Sequence, residues 1–248
     1  MIKVIGMLDQ IRINADDNRI IKYARSKNEL AFLLVSEKDA DCLVMEYADI
    51  SQSDKEFINS VRQNFTMIDT AVVSPSIYGN SFNIIQDTGA FKFIPIDGSD
   101  IDASIENFIT GSKSENKRGS NRFCWPLTAE FSIDNSEASM LAIYSISSGG
   151  AYLESAKLIP PAGKEAFLKI NFKNSQIATK CVINDYYSRS SKYPFGFSVS
   201  FTSLSDQAKL ALDRMVDDAI IRILLDPHTE PDVPSLDSDM LSIDSFSL

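Results

Sequence analysis

The chain has 248 residues, 44% hydrophobic and 23% charged, which is the composition of a folded protein with room for two ordinary cores. Its formal net charge of −10 argues against a general nucleic-acid binder, which needs a broad basic face. Part of that charge is local: residues 226–248 hold Asp226, Glu230, Asp232, Asp237, Asp239 and Asp244 and no Lys or Arg, so a basic pocket elsewhere is compatible with the total.

The N-terminal stretch MIKVIGMLDQIR meets Asp9 and Arg12 too early for a secretory apolar region, and no apolar run reaches the length needed to span a bilayer. A cytoplasmic location without membrane insertion is the expectation. Cys42, Cys124 and Cys181 fit no metal-ligand spacing and read as small buried apolar residues rather than disulfide partners. The single histidine, His228, lies in the acidic tail, which removes Ser-His and Cys-His nucleophile pairs and histidine metal sites. The chain is therefore not read as an enzyme, and no cofactor or metal is expected.

In chain order, Lys3–Leu8, Cys42–Tyr47, Ala71–Ser74 and Phe91–Pro95 are short, continuously apolar runs of the kind found in buried parallel strands. Helical patterns fall between and after them, over Asn28–Lys38, Ser53–Asn64, Ser76–Ile85 and Asp100–Ile109. Asp16–Ser26 fits a helix, while Arg19–Ala24 within it fits a second strand. Alternating strands and helices make residues 1–110 an α/β domain. Residues 111–122 open with the Gly/Ser/charge-rich GSKSENK and read as a linker. Residues 123–225 hold short strand-like runs and end in an amphipathic helix entered through Ser205. In that helix Ala208, Leu212, Met215, Ala219 and Ile223 form a stripe expected to pack on the strands. Val216, Ile220, Ile221 and Leu224 widen it enough to admit a homodimer contact. Residues 226–248, rich in Pro, Ser and Asp, read as a disordered acidic tail.

The order and spacing of residues 1–110, with NELAFLLVSEKDADCLVMEY and TGAFKFIPID at the positions of a second helix with third strand and of the approach to a fifth, resemble a receiver domain. That family holds Mg²⁺ with an acidic pair after strand one, phosphorylates an Asp after strand three and uses a Lys after strand five. Here Asp9 stands alone, Glu46 occupies the acceptor position and Ile96 the lysine position, while Ser74 matches the family's Thr/Ser. The extra methylene of Glu46 displaces its carboxylate from in-line attack geometry. A degenerate receiver-like domain used for docking a protein partner is the resulting expectation, with Glu46 a structural acid.

The linker delivers Arg118-Gly-Ser-Asn-Arg122, and some twenty residues later comes Ser145-Ile-Ser147-Ser-Gly149-Gly150, followed by further strand-like runs and the helix. Alone, two arginines four apart are a solvated surface feature and a Ser/Gly cluster is a turn. Together and in this order they resemble the PilZ family, whose signature is R-x-x-x-R and then (Asp/Asn)-x-Ser-x-x-Gly. The resemblance departs at Ser145, where the family has Asp or Asn. It implies a six-stranded barrel with a C-terminal helix that binds cyclic di-GMP through Arg118, Arg122, Ser145, Ser147, Gly149 and Gly150.

The chemistry suits such a ligand. A guanidinium fork can address phosphates or the guanine O6/N7 edge bidentately, a serine hydroxyl can donate, and glycine lets backbone approach. Ser145 is shorter than the family's Asp and uncharged, so weakened binding is expected, by about tenfold. The competing expectation is a PilZ-like adaptor that binds protein partners and no nucleotide.

Overall fold

The computed structural model describes residues 1–14, 18–65, 68–79, 91–98, 100–112, 120–133, 137–157, 160–187, 194–228 and 232–235. Contacts group the chain into two compact units, Met1–Gly119 with Ile220–Thr229, and Ser120–Ala219 with Glu230–Leu248.

In the first unit five strands, β1 (Ile2–Met7), β2 (Arg19–Tyr23), β3 (Cys42–Glu46), β4 (Asp69–Ser74) and β5 (Phe91–Pro95), form one sheet in the order β2-β1-β3-β4-β5. All four pairings are parallel. This is the flavodoxin-like doubly wound order, in which ligands and catalytic groups gather at the carboxyl ends of the strands. The ambiguous segment resolves as a strand: Arg19 to Tyr23 pair with Ile2 to Gly6.

Strand geometry sends alternate side chains to opposite faces. Val4, Cys42, Val44, Ala71, Val73 and Ile94 share one face, where Ile105 and Ile109 of helix α3 (Ile101–Gly111) cover them. Ile5, Leu43, Met45 and Val72 face the other way and are equally buried. That side matches the apolar faces of α1 (Lys27–Ser36), with Leu30 and Leu34, and of α2 (Gln52–Asn64), with Phe57, Ile58 and Val61. Each helix begins at a side chain that accepts an amide hydrogen: Ser26 from Glu29, Ser51 from Asp54 and Asp100 from Ala103. Of the helix expected over Ser76–Ile85, the described part is the one-turn 3₁₀ segment Ser76–Tyr78, and residues 80–90 lie outside the described residues.

The connection from β1 to β2 departs from the doubly wound norm. A parallel crossover is usually a helix, yet Leu8–Asn14 is not helical. Ile11 and Ile13, two apart, are instead buried in the same cluster as α3, so an extended segment covers part of the face. At the sheet's edge the guanidinium of Arg19 forks onto Glu106 of α3, with Nη2 2.7 Å and Nη1 2.9 Å from its two carboxylate oxygens.

In the second unit six antiparallel strands close into a barrel in the order β10-β11-β8-β7-β6-β9. They are β6 (Leu127–Ser132), β7 (Ser139–Ser147), β8 (Gly150–Glu154), β9 (Glu165–Asn171), β10 (Gln176–Tyr187) and β11 (Gly196–Phe201). Closure leaves no free edge. The alternation is clear in β10, where Ile177, Thr179, Cys181 and Ile183 are buried between exposed or half-buried neighbours. Phe131 and Phe197 meet inside with ring centroids 5.1 Å apart.

Helix α4 (Asp206–Leu225) starts at Ser205, whose hydroxyl oxygen accepts the Ala208 amide at 3.2 Å. Its buried line runs Ala208, Leu212, Val216, Ile220, Leu224, a strict four-residue step joined by Ala211. The expected stripe is thus corrected at Met215, Ala219 and Ile223, which are half-buried flanks. A helix turns 400° in four residues, so a four-residue step drifts around the axis and takes in Val216 and Ile220.

All three cysteines are free, and Cys42 and Cys181 are buried, with burial pushing each thiol up to about 12. Cys124 corrects the expectation: it is exposed, because in the extended run Phe123-Cys124-Trp125 the two aromatic neighbours point inward and stack at 4.6 Å.

Candidate functional site

The carboxyl ends of the first unit's strands are where a receiver would carry its phosphorylation apparatus. There the Glu46 carboxylate is engaged by the protein's own backbone. Its Oε2 accepts three consecutive amides, Asp9 at 2.8 Å, Gln10 at 3.0 Å and Ile11 at 3.0 Å. Successive amides converging on one point form an anion-binding nest. Glu46 fills this one from the next strand and so pins the non-helical crossover to β3. Ser74 is fully buried and donates to the Tyr47 carbonyl at 2.7 Å, which joins the ends of β3 and β4. Both residues are structural here. Among the described residues no group of three or more His, Cys, Asp or Glu could hold a metal ion.

In the second unit an isolated bridge brings the residue after Arg122 to the strand that carries Ser145 and Ser147. Phe123 and Ile146 exchange both backbone hydrogen bonds, at 3.0 and 2.9 Å. The antiparallel bridge seats the exposed Arg122 at the end of β7, on the Ser147 side of Ile146. Arg118 lies outside the described residues. Just before this point the pairing of β7 with β8 shifts between Ile143 and Ser145. Such a bulge re-aims side chains. After it Ser145, Ile146, Ser147 and Ser148 are buried in succession, where a regular strand would alternate.

The motif's serines and glycines each have a definite place. Ser145 is 6% exposed. Ser147 is 2% exposed, and its hydroxyl donates to the Gly150 carbonyl at 3.3 Å, closing the turn. Gly149 is exposed, with the Ser120 hydroxyl 3.6 Å from where a Cβ would stand. Its carbonyl accepts the Phe201 amide at 3.0 Å. At Gly150 a Cβ would overlap the Val199 carbonyl oxygen of β11. The close approach this glycine permits is that of a neighbouring strand, which sequence alone does not reveal.

Two residues outside the motif complete the constellation. The Ser148 hydroxyl donates to Asp213 Oδ1 at 2.8 Å, and the Asn121 side-chain amide donates to Asp217 Oδ1 at 2.8 Å. Both acceptors belong to α4 and lie one turn apart. The sequence signals nothing of this, since the partners are 65 and 96 residues away.

No family model and no curated protein matches the chain. Among solved structures it is similar to the inhibitor of motility MotI/DgrA of Bacillus subtilis, at 19% identity and TM-score 0.39 over 43% of this chain and 52% of that chain. It is also similar to the PilZ domain of YcgR from Escherichia coli with c-di-GMP, at 18% identity and TM-score 0.35, over 42% and 91% of the two chains. A third similar structure is the K. pneumonia MrkH–c-di-GMP complex, at 16% identity and TM-score 0.38, over 44% and 55%. The similarity therefore spans less than half of this chain, and about half of two of the three proteins. The chain thus has the closed six-stranded barrel and C-terminal helix of a PilZ-like fold, and before them a parallel α/β sheet with a structural glutamate at the end of β3.

Proposed function

We propose that the chain is a receptor for cyclic di-GMP that acts without catalysis, passing ligand occupancy to a protein partner through residues 1–110. The Phe123–Ile146 bridge carries this reading, because it sets the second arginine of R-x-x-x-R against the Ser145–Gly150 turn. A ligand with two phosphates and two guanine edges needs cationic forks and small donors side by side, and Arg122 next to this turn supports such an arrangement. Arg118 and Arg122 would clamp phosphate or guanine, Ser147 would exchange its internal acceptor for the ligand, and Gly149 would leave the surface open. Arg118 lies in the segment between the α/β domain and the barrel, so engaging it would constrain the way the two domains are joined.

The adaptor reading has one observation in its favour. Ser145 is buried and uncharged where a carboxylate or amide would face the guanine edge. Thermal unfolding of the full chain separates the two. For a receptor, cyclic di-GMP at about a hundred times its Kd stabilises the second unit by roughly 2.7 kcal/mol, whereas cyclic di-AMP, lacking the O6 acceptor, leaves the midpoint unchanged. An adaptor shows no shift with either nucleotide.

A further inference from the structure

Residues 232–235, which belong to the second unit, lie against the hairpin that joins β9 to β10. The Lys173 amide donates to the Pro234 carbonyl at 3.1 Å, and the Lys173 ammonium stands 3.2 Å from Asp232 Oδ2. Val233 and Pro234 are half-buried there. The outward side chains of β9 and β10 run back from that hairpin. Phe167, 45% exposed, stands opposite the exposed Lys180, and the half-buried Lys169 stands opposite Ala178. An exposed aromatic flanked by two cations marks this outer face as a surface for an acidic, partly apolar segment. The sequence after Pro234 has that character. Residues 236–248 lie outside the described residues; they include Asp237, Asp239 and Asp244, no Lys or Arg, and the apolar pair Met240-Leu241. Phe167 is six residues back from Lys173, about 20 Å along a strand. Six residues on from Pro234 an extended chain covers the same distance and arrives at Met240.

We propose that residues 236–248 dock along the outer face of β9 and β10, with Met240 and Leu241 on Phe167 and Asp239 beside Lys169 and Lys180. The anchor at Lys173 makes the contact intramolecular, so even a weak one is populated at the roughly millimolar effective concentration that a short tether gives. Covering Phe167 removes apolar surface from water, and the acids of the tail meet the cations of the face. The tail is thus a built-in cover for this side of the barrel, and the inference stands apart from the receptor reading.

The test is limited chymotrypsin digestion of the full chain, with the released C-terminal peptides followed by mass, for wild type, K180E, F167S, K180E/D239K and K92E. Cleavage after Leu241 or Phe246 needs the segment lifted from the face, so its rate follows the undocked fraction. K180E and F167S are each expected to speed it about fivefold, and the swapped charges of K180E/D239K to bring it back to within about twofold of wild type. Lys92 is exposed on β5 of the other unit, so K92E controls for net charge and is expected to match wild type. Faster cleavage in K180E and F167S than in K92E, with recovery in the double variant, supports the docked tail. K180E changes only an exposed side chain, so the test does not hinge on F167S, whose fold circular dichroism checks. Rates in K180E equal to those in K92E, or no recovery in the double variant, overturn the proposal. Protection that strengthens with protein concentration assigns the face to a second copy of the chain and overturns it as well.

Discussion

At Glu46 one carboxylate oxygen serves three amides, and this choice of residue explains both what the position does and what it cannot do. The nest ties Asp9, Gln10 and Ile11 to the end of β3, alongside the burial of Ile11 and Ile13. Replacing Glu46 with Ala should destabilise the first unit by about 1–2 kcal/mol. The figure is modest because Asp9 and Gln10 are exposed enough for water to replace the carboxylate. Urea unfolding of the full chain measures it; an unchanged midpoint would mean the nest holds nothing. Incubation with acetyl phosphate and Mg²⁺ should add no mass, since the carboxylate is engaged away from any attack geometry. A second residue-scale expectation concerns Gly150. Gly150→Ala drives a methyl into the Val199 carbonyl and should cost about 3 kcal/mol or more, read as loss of barrel stability with or without nucleotide. Its requirement for glycine was legible in the motif, but the reason was not: the partner strand β11 lies fifty residues away in sequence and enters only when the barrel closes.

The elements follow from local chemistry where a segment's own pattern decides its conformation. The runs CLVME and FKFIP are strands, and Ser51 with Asp54 begins α2 as a reciprocal capping box. That box yields an element-scale prediction. Burial pushes the Asp54 carboxyl up, but hydrogen bonds from Lys27 and from the Ser51 hydroxyl and amide outweigh it and hold the group below the ordinary carboxylate value. A depressed carboxyl stabilises the fold above its unfolded value and loses that contribution as pH falls through the folded one. Asp54→Asn should therefore be about 1 kcal/mol less stable than wild type at pH 7, and the gap should close as the pH falls below the ordinary carboxylate range. A gap that persists in acid would place the role of Asp54 in packing.

Where context decides, the sequence was less informative. β2 was ambiguous because RIIKY is a short edge strand with two exposed residues. The non-helical course of Leu8–Asn14 could not be read at all, since the burial of Ile11 and Ile13 and the Glu46 contacts that set it are tertiary. Likewise the drift of the α4 stripe from Met215 and Ala219 to Val216 and Ile220 depends on what the helix meets along its length.

For the whole molecule, an acidic chain of net charge −10 carries Arg118 and Arg122 in the segment that the proposed receptor would use. The barrel was implied by the resemblance that the arginine–serine–glycine motif carries, and the serine–glycine turn was legible because its residues are close in sequence. The bridge from Phe123 to Ile146 and the two ties to α4 were not, because they join segments far apart and exist only in the closed barrel. The account's central claim is that this constellation takes cyclic di-GMP. Isothermal titration calorimetry of the full chain, with Arg122→Ala alongside, tests it most directly. The account predicts a Kd in the micromolar range or tighter for the wild type, and a loss of tenfold or more in the variant with its fold intact. No heat and no thermal shift from the wild type at high ligand, or equal binding by Arg122→Ala, would contradict it.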